Sequence, residues 1–239
     1  MIKQLYKRKI AVFFSAAFLG LMTSTFAGCA QENTQETAGD QAKVVPVESF
    51  LDQEMVLGDI NAPVEVIEYA SVTCNHCATF HNTVLPRIKE KYVDTGKVKI
   101  VVRSFLLNQI DVTISQLTRC VPEKRYFKFV DAIYKRQTQW YNIAEYQRLS
   151  GLHDARTANQ MFVEHTMGEV TKIARQVGMN EKKIQACLAN EKIGEYLFSV
   201  HQEGVQKHKV SATPTIIVNG SKTSNDYNSI EKAIEAALD

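Results

Sequence analysis

The fold of this chain is decided where the apolar run Val64-Glu65-Val66-Ile67-Glu68-Tyr69-Ala70 leads into Cys74-Asn75-His76-Cys77. We predict that the run is a β-strand and that the cysteine pair opens a helix from Ala78 to about Tyr92. A strand that feeds two cysteines, separated by two residues, into the start of a helix is the arrangement of a redox-active pair. The sequence therefore predicts thiol–disulfide chemistry at this point of the chain.

The start of a helix also predicts which cysteine reacts. Its first backbone N–H groups have no partner within the helix, and it carries a partial positive charge, so a thiolate is favoured there over a thiol. His76 lies between the two sulfurs and adds a positive charge whenever it is protonated. We therefore predict Cys74 as the nucleophile with a lowered pKa and Cys77 as the resolving cysteine of a thiol–disulfide oxidoreductase.

A metal site is the alternative interpretation of the same residues. A structural zinc ion needs four ligands, which are usually supplied as two cysteine pairs, and Cys120 and Cys187 each stand alone in the sequence. Cys74, Cys77 and His81 could still supply three ligands. We predict no metal and no cofactor besides the redox-active cysteine pair itself.

The first 28 residues have the pattern of an export signal. Four basic residues precede an apolar run of 13 residues, Ile10 to Met22, and small residues follow it. Such a run is shorter than a membrane-spanning helix requires, and the order of the three regions is typical of a secretory signal peptide. We predict that residues 1–28 direct the protein to the periplasm.

Two interpretations stay open for the end of this signal. Phe26-Ala27-Gly28-Cys29 resembles a bacterial lipobox, in which the cysteine carries the lipid and becomes the new N-terminus. The alternative is cleavage after Ala27. Residues 29–44 are mostly polar and predict a flexible tether in either case, which would hold the protein at the membrane if Cys29 is lipidated.

Export allows a second disulfide bond, because disulfides persist in the periplasm. If lipid occupies Cys29, four of the five cysteines remain, and we predict a structural bond between Cys120 and Cys187. Two separate buried thiols are the alternative.

The charge of the chain does not indicate a nucleic-acid partner. Without the four basic residues of the leader, 24 basic residues face 26 acidic ones, which gives a net charge of −2. Basic and acidic residues alternate along the helical faces, as on a solvated surface. We predict no interaction with nucleic acid.

Secondary-structure patterns divide the rest of the chain into three segments. Residues 45–108 contain the strand before Cys74, its helix and a second strand over Lys97–Phe105. Residues 109–208 show helical periodicity with almost no strand signal. Residues 209–239 return to a strand at Thr215–Val218, followed by the turn Asn219-Gly220 and a helix from Asp226 to Leu238. This order predicts an α/β protein with a thioredoxin fold and an inserted all-helical domain.

Four sequence features together resemble the DsbA family and, within it, the alphaproteobacterial branch. They are the entry Gly58-Asp59-Ile60-Asn61-Ala62-Pro63-Val64, the segment Glu68-Tyr69-Ala70-Ser71 with the cysteine pair after it, the helical insertion, and Ala212-Thr213-Pro214-Thr215. The resemblance covers about residues 45–239. It implies a periplasmic dithiol oxidase that donates its disulfide to unfolded exported proteins with reduced cysteines, and that a membrane partner such as DsbB reoxidises.

The resemblance also implies roles for three further residues. Thr213 and Pro214 match the family's cis-proline loop, which lies beside the nucleophile. Glu68 matches a buried acid beneath the active site. Strand alternation places Glu68 on one face with Val64 and Val66, so we expect its carboxylate among apolar side chains, where it can exchange a proton with Cys77.

Two other functions remain as alternatives. Enteric oxidases of the family have Val where Thr213 stands, whereas isomerases often have Thr, so a disulfide isomerase or reductase is the first alternative. Isomerases of this type usually carry a separate dimerisation domain, for which residues 30 to 55 are too few. A copper or zinc chaperone that uses Cys74, Cys77 and His81 is the second.

Overall fold

The computed structural model describes residues 53–239. The predicted signal peptide (1–28), the tether (29–44) with Cys29, and residues 45–52 of the first fold segment lie outside this part of the chain. Within it, no helix is both long enough and apolar enough to cross a membrane.

A five-stranded mixed sheet forms the centre of the described chain. The strands are β1 Met55–Leu57, β2 Val64–Ala70, β3 Val98–Ser104, β4 Thr215–Val218 and β5 Ser221–Thr223. Their order in the sheet is β1-β3-β2-β4-β5, with β2 parallel to β3 and the other neighbouring pairs antiparallel. The sequence predicts β2, β3 and β4, whereas the three residues of β1 are too few to show a periodic pattern.

The helix after β2 begins earlier than the sequence predicts. Its first helical residue is Asn75, three positions before Ala78, because Cys74 caps the helix: the Cys74 Sγ accepts the N–H of Cys77 at 3.4 Å. Two π-helical stretches interrupt the run, and one of them directly precedes the segment that contains Pro86, which has no N–H to donate. The segments are α1 Asn75–Thr79, a π-helix Phe80–Val84, α2 Leu85–Ile88 and a π-helix Lys89–Val93.

Between β3 and β4 the described chain is helical, as predicted. Asn180 and Asn190 are the N-caps of the last two helices of this layer, and Gly178, with φ +90°, follows the end of the longest one. The helices are α3 Gln109–Cys120, a 3₁₀ turn Glu123–Arg125, α4 Tyr126–Lys135, α5 Gln137–Trp140, α6 Ile143–Leu152, α7 Ala155–Gln176, α8 Glu181–Leu188 and α9 Glu191–Gln206.

The chain returns to the sheet through a tight hairpin. Asn219 and Gly220 both have positive φ, +42° and +83°, which is the conformation that such two-residue turns require. The last helix, α10 Tyr227–Leu238, begins after the N-cap Asp226. It packs on the sheet through Ile230 and Ile234, which are buried.

Both faces of the sheet are covered by helices. The cysteine pair lies where the sheet meets the helical layer. Val64 and Val66 pack in one apolar cluster with the helix that follows β2 and with α10, while Tyr69 faces α9. Gly204 of α9 permits this contact, since a Cβ there would lie 2.7 Å from the Tyr69 ring. Cys77 belongs to the apolar cluster of the helical layer. The start of α1, which follows β2 of the sheet, therefore lies directly against the inserted helices.

Candidate active site

Cys74 is presented by the end of β2 at the very start of α1. Its backbone is extended (φ −80°, ψ 120°), and its side chain is half-buried. The Sγ accepts a hydrogen bond from the Cys77 N–H at 3.4 Å. It therefore occupies the place that a side-chain oxygen has in an ordinary N-cap. The sulfur thus takes the place of the capping group and receives N–H groups that the helix leaves unpaired.

Thr213 and Pro214 lie beside Cys74, although 139 residues separate Thr213 from it. The peptide bond between Thr213 and Pro214 is cis. As a thiol, Cys74 donates its S–H to the Thr213 carbonyl oxygen at 3.3 Å. Only the protonated sulfur can make this bond. The Thr213 side chain favours the ionised sulfur, since it contributes to the lowering of the Cys74 pKa.

These surroundings favour the thiolate of Cys74. Its pKa is lowered to about 5, chiefly because the Cys77 thiol donates a hydrogen bond to it. Burial opposes the lowering, and the Thr213 side chain and the backbone N–H groups of Cys77 and His76 support it. His76 therefore acts on the sulfur through its backbone, while its side chain is exposed.

Cys77 has the opposite character. It is fully buried, and its pKa is raised by the hydrogen bond that it donates to Cys74, by burial and by the nearby charge of Glu68. Cys77 consequently keeps its proton when Cys74 is ionised. The two sulfurs of one short motif thus differ in both access and charge.

Glu68 lies on β2 beneath the pair and is fully buried, as the sequence predicts. Its surroundings are not wholly apolar, however. The Nε2 of His81 lies 2.9 Å from the Glu68 Oε2, which is ion-pair distance, although the orientation is not that of a hydrogen bond. The Tyr134 ring stacks on the other side of His81, with the centroids 4.0 Å apart. A buried carboxylate and a buried imidazole therefore lie together below Cys77.

The metal-site alternative involves Cys74, Cys77 and His81. In the described residues, no three side chains of His, Cys, Asp or Glu come together as a metal ion would require. His81 instead faces Glu68.

Cys120 and Cys187 are joined by a disulfide bond, with their Cα atoms 6.0 Å apart. The bond links the end of α3 to α8, and Cys187 is almost fully buried. It belongs to the helical layer and not to the strand–helix junction that holds Cys74.

Sequence reasoning missed two residues that contact the turn before Cys74. Asp111, near the start of α3, and Gln137, at the start of α5, are buried and hydrogen-bond to residues 71–74. The spacing of Asn108 and Asp111 is that of a helix start, and Asn108 does cap α3. That signal explains the helix start but not the contact, because the turn is about 40 residues away.

The family model described as thioredoxin matches residues 51–236. The chain belongs to the thioredoxin family. A Rickettsia felis protein named "Putative protein-disulfide oxidoreductase" is 32% identical over 86% of this chain and 68% of its own length. A Rickettsia bellii protein of the same name is 33% identical over 79% of this chain. This chain spans 66% of the length of that relative.

Solved structures agree with this assignment and confirm the predicted fold. A protein-disulfide isomerase from Novosphingobium aromaticivorans is 27% identical, with a TM-score of 0.65 over 78% of this chain and 97% of the other. Alpha-DsbA1 of Wolbachia pipientis is 25% identical, with a TM-score of 0.64 over 78% and 92%. This chain shares the thioredoxin fold with inserted helices with both proteins, and within the thioredoxin family it is of the DsbA type.

Proposed function

We propose that this protein is a thiol–disulfide oxidoreductase that introduces disulfide bonds into exported proteins through Cys74 and Cys77. The observation that carries this proposal is the difference between the two sulfurs. Cys74 is half-exposed with a pKa lowered to about 5, and Cys77 is buried with a raised pKa. A cysteine whose thiolate is stabilised is a good leaving group, so the reduced enzyme is favoured and the oxidised enzyme passes on its disulfide.

The first step follows from the access to the sulfurs. In the oxidised enzyme, a client thiolate attacks the Sγ of Cys74, which is the accessible atom of the pair. A bond forms between the client sulfur and Cys74, and the bond between Cys74 and Cys77 breaks. The electron pair of the broken bond stays on Cys77, which then takes up a proton because its pKa is raised.

The second step releases the oxidised client. A second thiolate of the same client attacks the client sulfur of the mixed disulfide and expels Cys74 as a thiolate. The client loses two electrons and the enzyme gains them. The cycle closes when an electron acceptor takes the two electrons, and we propose a membrane reoxidase of the DsbB type for this role.

Glu68 and His81 are suited to manage the proton on Cys77. Both are buried, and the charge of Glu68 acts directly on Cys77. We propose that Glu68 exchanges a proton with Cys77 when the pair opens and closes. The Nε2 of His81 lies 2.9 Å from the carboxylate, and a protonated imidazole there would offset the charge of an ionised Glu68.

We also propose a periplasmic location, which the leader pattern of residues 1–28 supports. Lipid on Cys29 would tether the enzyme to the membrane near its reoxidase. The intact mass of the mature protein tests this point: lipidation adds the mass of the lipid at Cys29, and the Cys29→Ala variant loses it.

The experiment that tests the function uses the oxidised protein and a model peptide with two cysteines. We expect rapid formation of the peptide disulfide. Cys77→Ser has no internal disulfide, so it is mixed with the disulfide form of the peptide: the Cys74 thiolate attacks one peptide sulfur and expels the other as a thiolate, and the mixed disulfide at Cys74 accumulates because the resolving thiol is absent. A mixed disulfide at Cys77 of the Cys74→Ser variant, together with none at Cys74 of the Cys77→Ser variant, would contradict the assignment.

Disulfide isomerisation is a second candidate function. Thr213 lies beside Cys74, whose Sγ is 3.3 Å from the Thr213 carbonyl oxygen, and the similar structure from Novosphingobium aromaticivorans is named a protein-disulfide isomerase. A client protein with incorrectly paired disulfides distinguishes isomerisation from oxidation. An isomerase in its reduced form restores the correct pairing, whereas an oxidase acts mainly on the fully reduced client.

A further inference from the structure

The turn that delivers Cys74 lies outside both regular elements that flank it. β2 ends at Ala70 and α1 begins at Asn75, so residues 71–74 have no ladder or helix to take up all their backbone groups. One backbone hydrogen bond closes the turn, from the Cys74 N–H to the Ser71 carbonyl at 3.2 Å. Buried backbone groups need partners, and side chains of the helical layer supply them here.

Asp111 takes up the N–H groups of this turn. One carboxylate oxygen accepts from the N–H of Val72 at 2.8 Å and of Thr73 at 3.3 Å. The other accepts from the hydroxyls of Ser71 at 2.5 Å and Thr73 at 3.1 Å, and from the Leu107 N–H at 3.0 Å. Asp111 is fully buried. Burial raises its pKa, and the hydrogen bond from Ser71 is the foremost of the bonds that oppose this rise.

Gln137 and Tyr134 take up the carbonyl groups of the same turn. The Nε2 of Gln137 donates to the Val72 carbonyl at 2.7 Å and to the Cys74 carbonyl at 2.9 Å. The Tyr134 hydroxyl donates to the Ser71 carbonyl at 3.3 Å. The helical layer therefore contacts every residue of the turn, with an acceptor for its N–H groups and donors for its carbonyls.

From these contacts we infer that Asp111 and Gln137 are positioning residues of the active site, through which the inserted helices hold the turn that presents Cys74. Neither side chain touches the sulfur. Both act on the backbone that aims it at the Cys77 N–H and at Thr213. The inserted helices thus fix the position of the Cys74 sulfur, in addition to packing against the site.

The physical reason is the steep dependence of hydrogen bonds on geometry. The bond from the Cys77 N–H to the Cys74 Sγ is already 3.4 Å long, and a hydrogen bond weakens quickly as distance and angle worsen. A looser turn would therefore remove part of the stabilisation of the thiolate. This inference rests on the proposed function for its importance, but its test does not measure turnover.

The test is the pKa of Cys74, read from thiolate absorbance of the reduced full mature chain, in Asp111→Asn and Gln137→Met. Asn places an N–H₂ group where donors already point, and Met removes the amide without a change of charge. The matched control is Asp154→Asn, since Asp154 also accepts backbone N–H groups in the helical layer but those of Arg156 and Thr157. Cys74→Ser supplies the absorbance baseline.

We expect the pKa of Cys74 to rise by about 1 in both variants, as the loss of one hydrogen bond to a charged group implies. Asp154→Asn should leave it unchanged. Loss of a negative charge alone would favour the thiolate and lower this pKa in Asp111→Asn. A lowered or unchanged value there, or an unchanged value in Gln137→Met, would overturn the inference.

Two provisions keep the result decisive. If Asp111→Asn does not fold, Gln137→Met decides alone, since it introduces no buried charge and no new donor. Failure of the inference is also distinct from failure of the proposed function. Wild-type protein that titrates as expected but does not oxidise a peptide would contradict the function and leave the positioning role intact.

Discussion

The two cysteine pairs of this chain differ in what surrounds their sulfur atoms. Cys74 and Cys77 are three residues apart at a helix start, are free thiols, and lie between hydrogen-bond donors and a buried carboxylate. Cys120 and Cys187 are 67 residues apart, are bonded to each other, and pack in the apolar core of the helical layer.

This difference shows how one kind of residue serves two purposes. Donors directed at Cys74 stabilise a thiolate, so the reduced state of that pair is favoured and its disulfide is reactive. The bond between Cys120 and Cys187 closes a long loop, which stabilises the fold by restricting the unfolded chain. The surroundings of the first pair favour exchange of its disulfide bond, and those of the second pair favour a disulfide bond that stays closed.

The largest expected effect comes from removing the nucleophile. Cys74→Ser should reduce oxidation of a model dithiol to the uncatalysed rate, because a hydroxyl cannot form the mixed disulfide. The rate is measured with the purified oxidised protein. Cys120→Ser with Cys187→Ser is the matched control and should leave turnover largely intact. Equal losses in the two proteins would remove the distinction between the pairs.

The second effect concerns stability. Replacement of both Cys120 and Cys187 by Ser should lower the free energy of unfolding by about 4 kcal/mol, as expected for a loop of this length. Denaturant unfolding of the oxidised protein measures it. Peptide mapping without reduction should find the two cysteines linked in the wild-type chain. Two free thiols at Cys120 and Cys187 in protein purified without reductant would contradict the structural role.

A smaller effect is expected at Thr213. In Thr213→Val the hydrogen bond from the side chain to the Cys74 thiolate is lost, so the pKa of Cys74 should rise by about 1 and the protein should become a weaker oxidant. Thr215→Val is the control, because the Thr215 hydroxyl donates to the Ala212 carbonyl instead. A lower pKa of Cys74 in Thr213→Val than in wild type would refute the hydrogen-bond account.

The smallest effect is expected at His76. The sequence places its positive charge between the sulfurs, but the structure shows an exposed side chain and a contribution from the backbone N–H. Serine keeps that N–H, so His76→Ser should raise the pKa of Cys74 only slightly. A rise as large as that in Thr213→Val would show that the imidazole charge, and not the helix start, dominates.

The sequence predicts the parts of this structure that depend on short stretches of neighbouring residues. β2, the turn at Asn219 and Gly220, and the caps Asn180 and Asn190 each follow from residues within a few positions. The cis bond before Pro214 and the pairing of Cys120 with Cys187 were also anticipated, the first from the family resemblance and the second from the expected export.

The missed parts depend on contacts between distant residues. Met55–Leu57 forms β1 only because β3 offers an edge. Asp111 and Gln137 meet the turn before Cys74 after about 40 and 65 intervening residues, and nothing in their local sequence indicates a partner. The sequence leaves His81 open as a metal ligand, because it does not show that the ring faces Glu68.

The low pKa of Cys74 has a further consequence for stability. Because it lies below the value in the unfolded chain, about 8.5, ionisation stabilises the reduced fold above that value. This contribution is lost as the pH falls through the folded value of about 5. The free energy of unfolding of the reduced protein should therefore fall, relative to that of the oxidised protein, as the solution is acidified.

Titration of the Cys74 thiolate in the reduced protein tests the central claim most directly. Absorbance of the thiolate, with Cys74→Ser as the baseline, is followed from alkaline to acid pH. We expect a single transition with a midpoint near the pKa of about 5. A midpoint near the free value of about 8.5 would show that the helix start, Cys77 and Thr213 do not stabilise the thiolate, and would contradict the account.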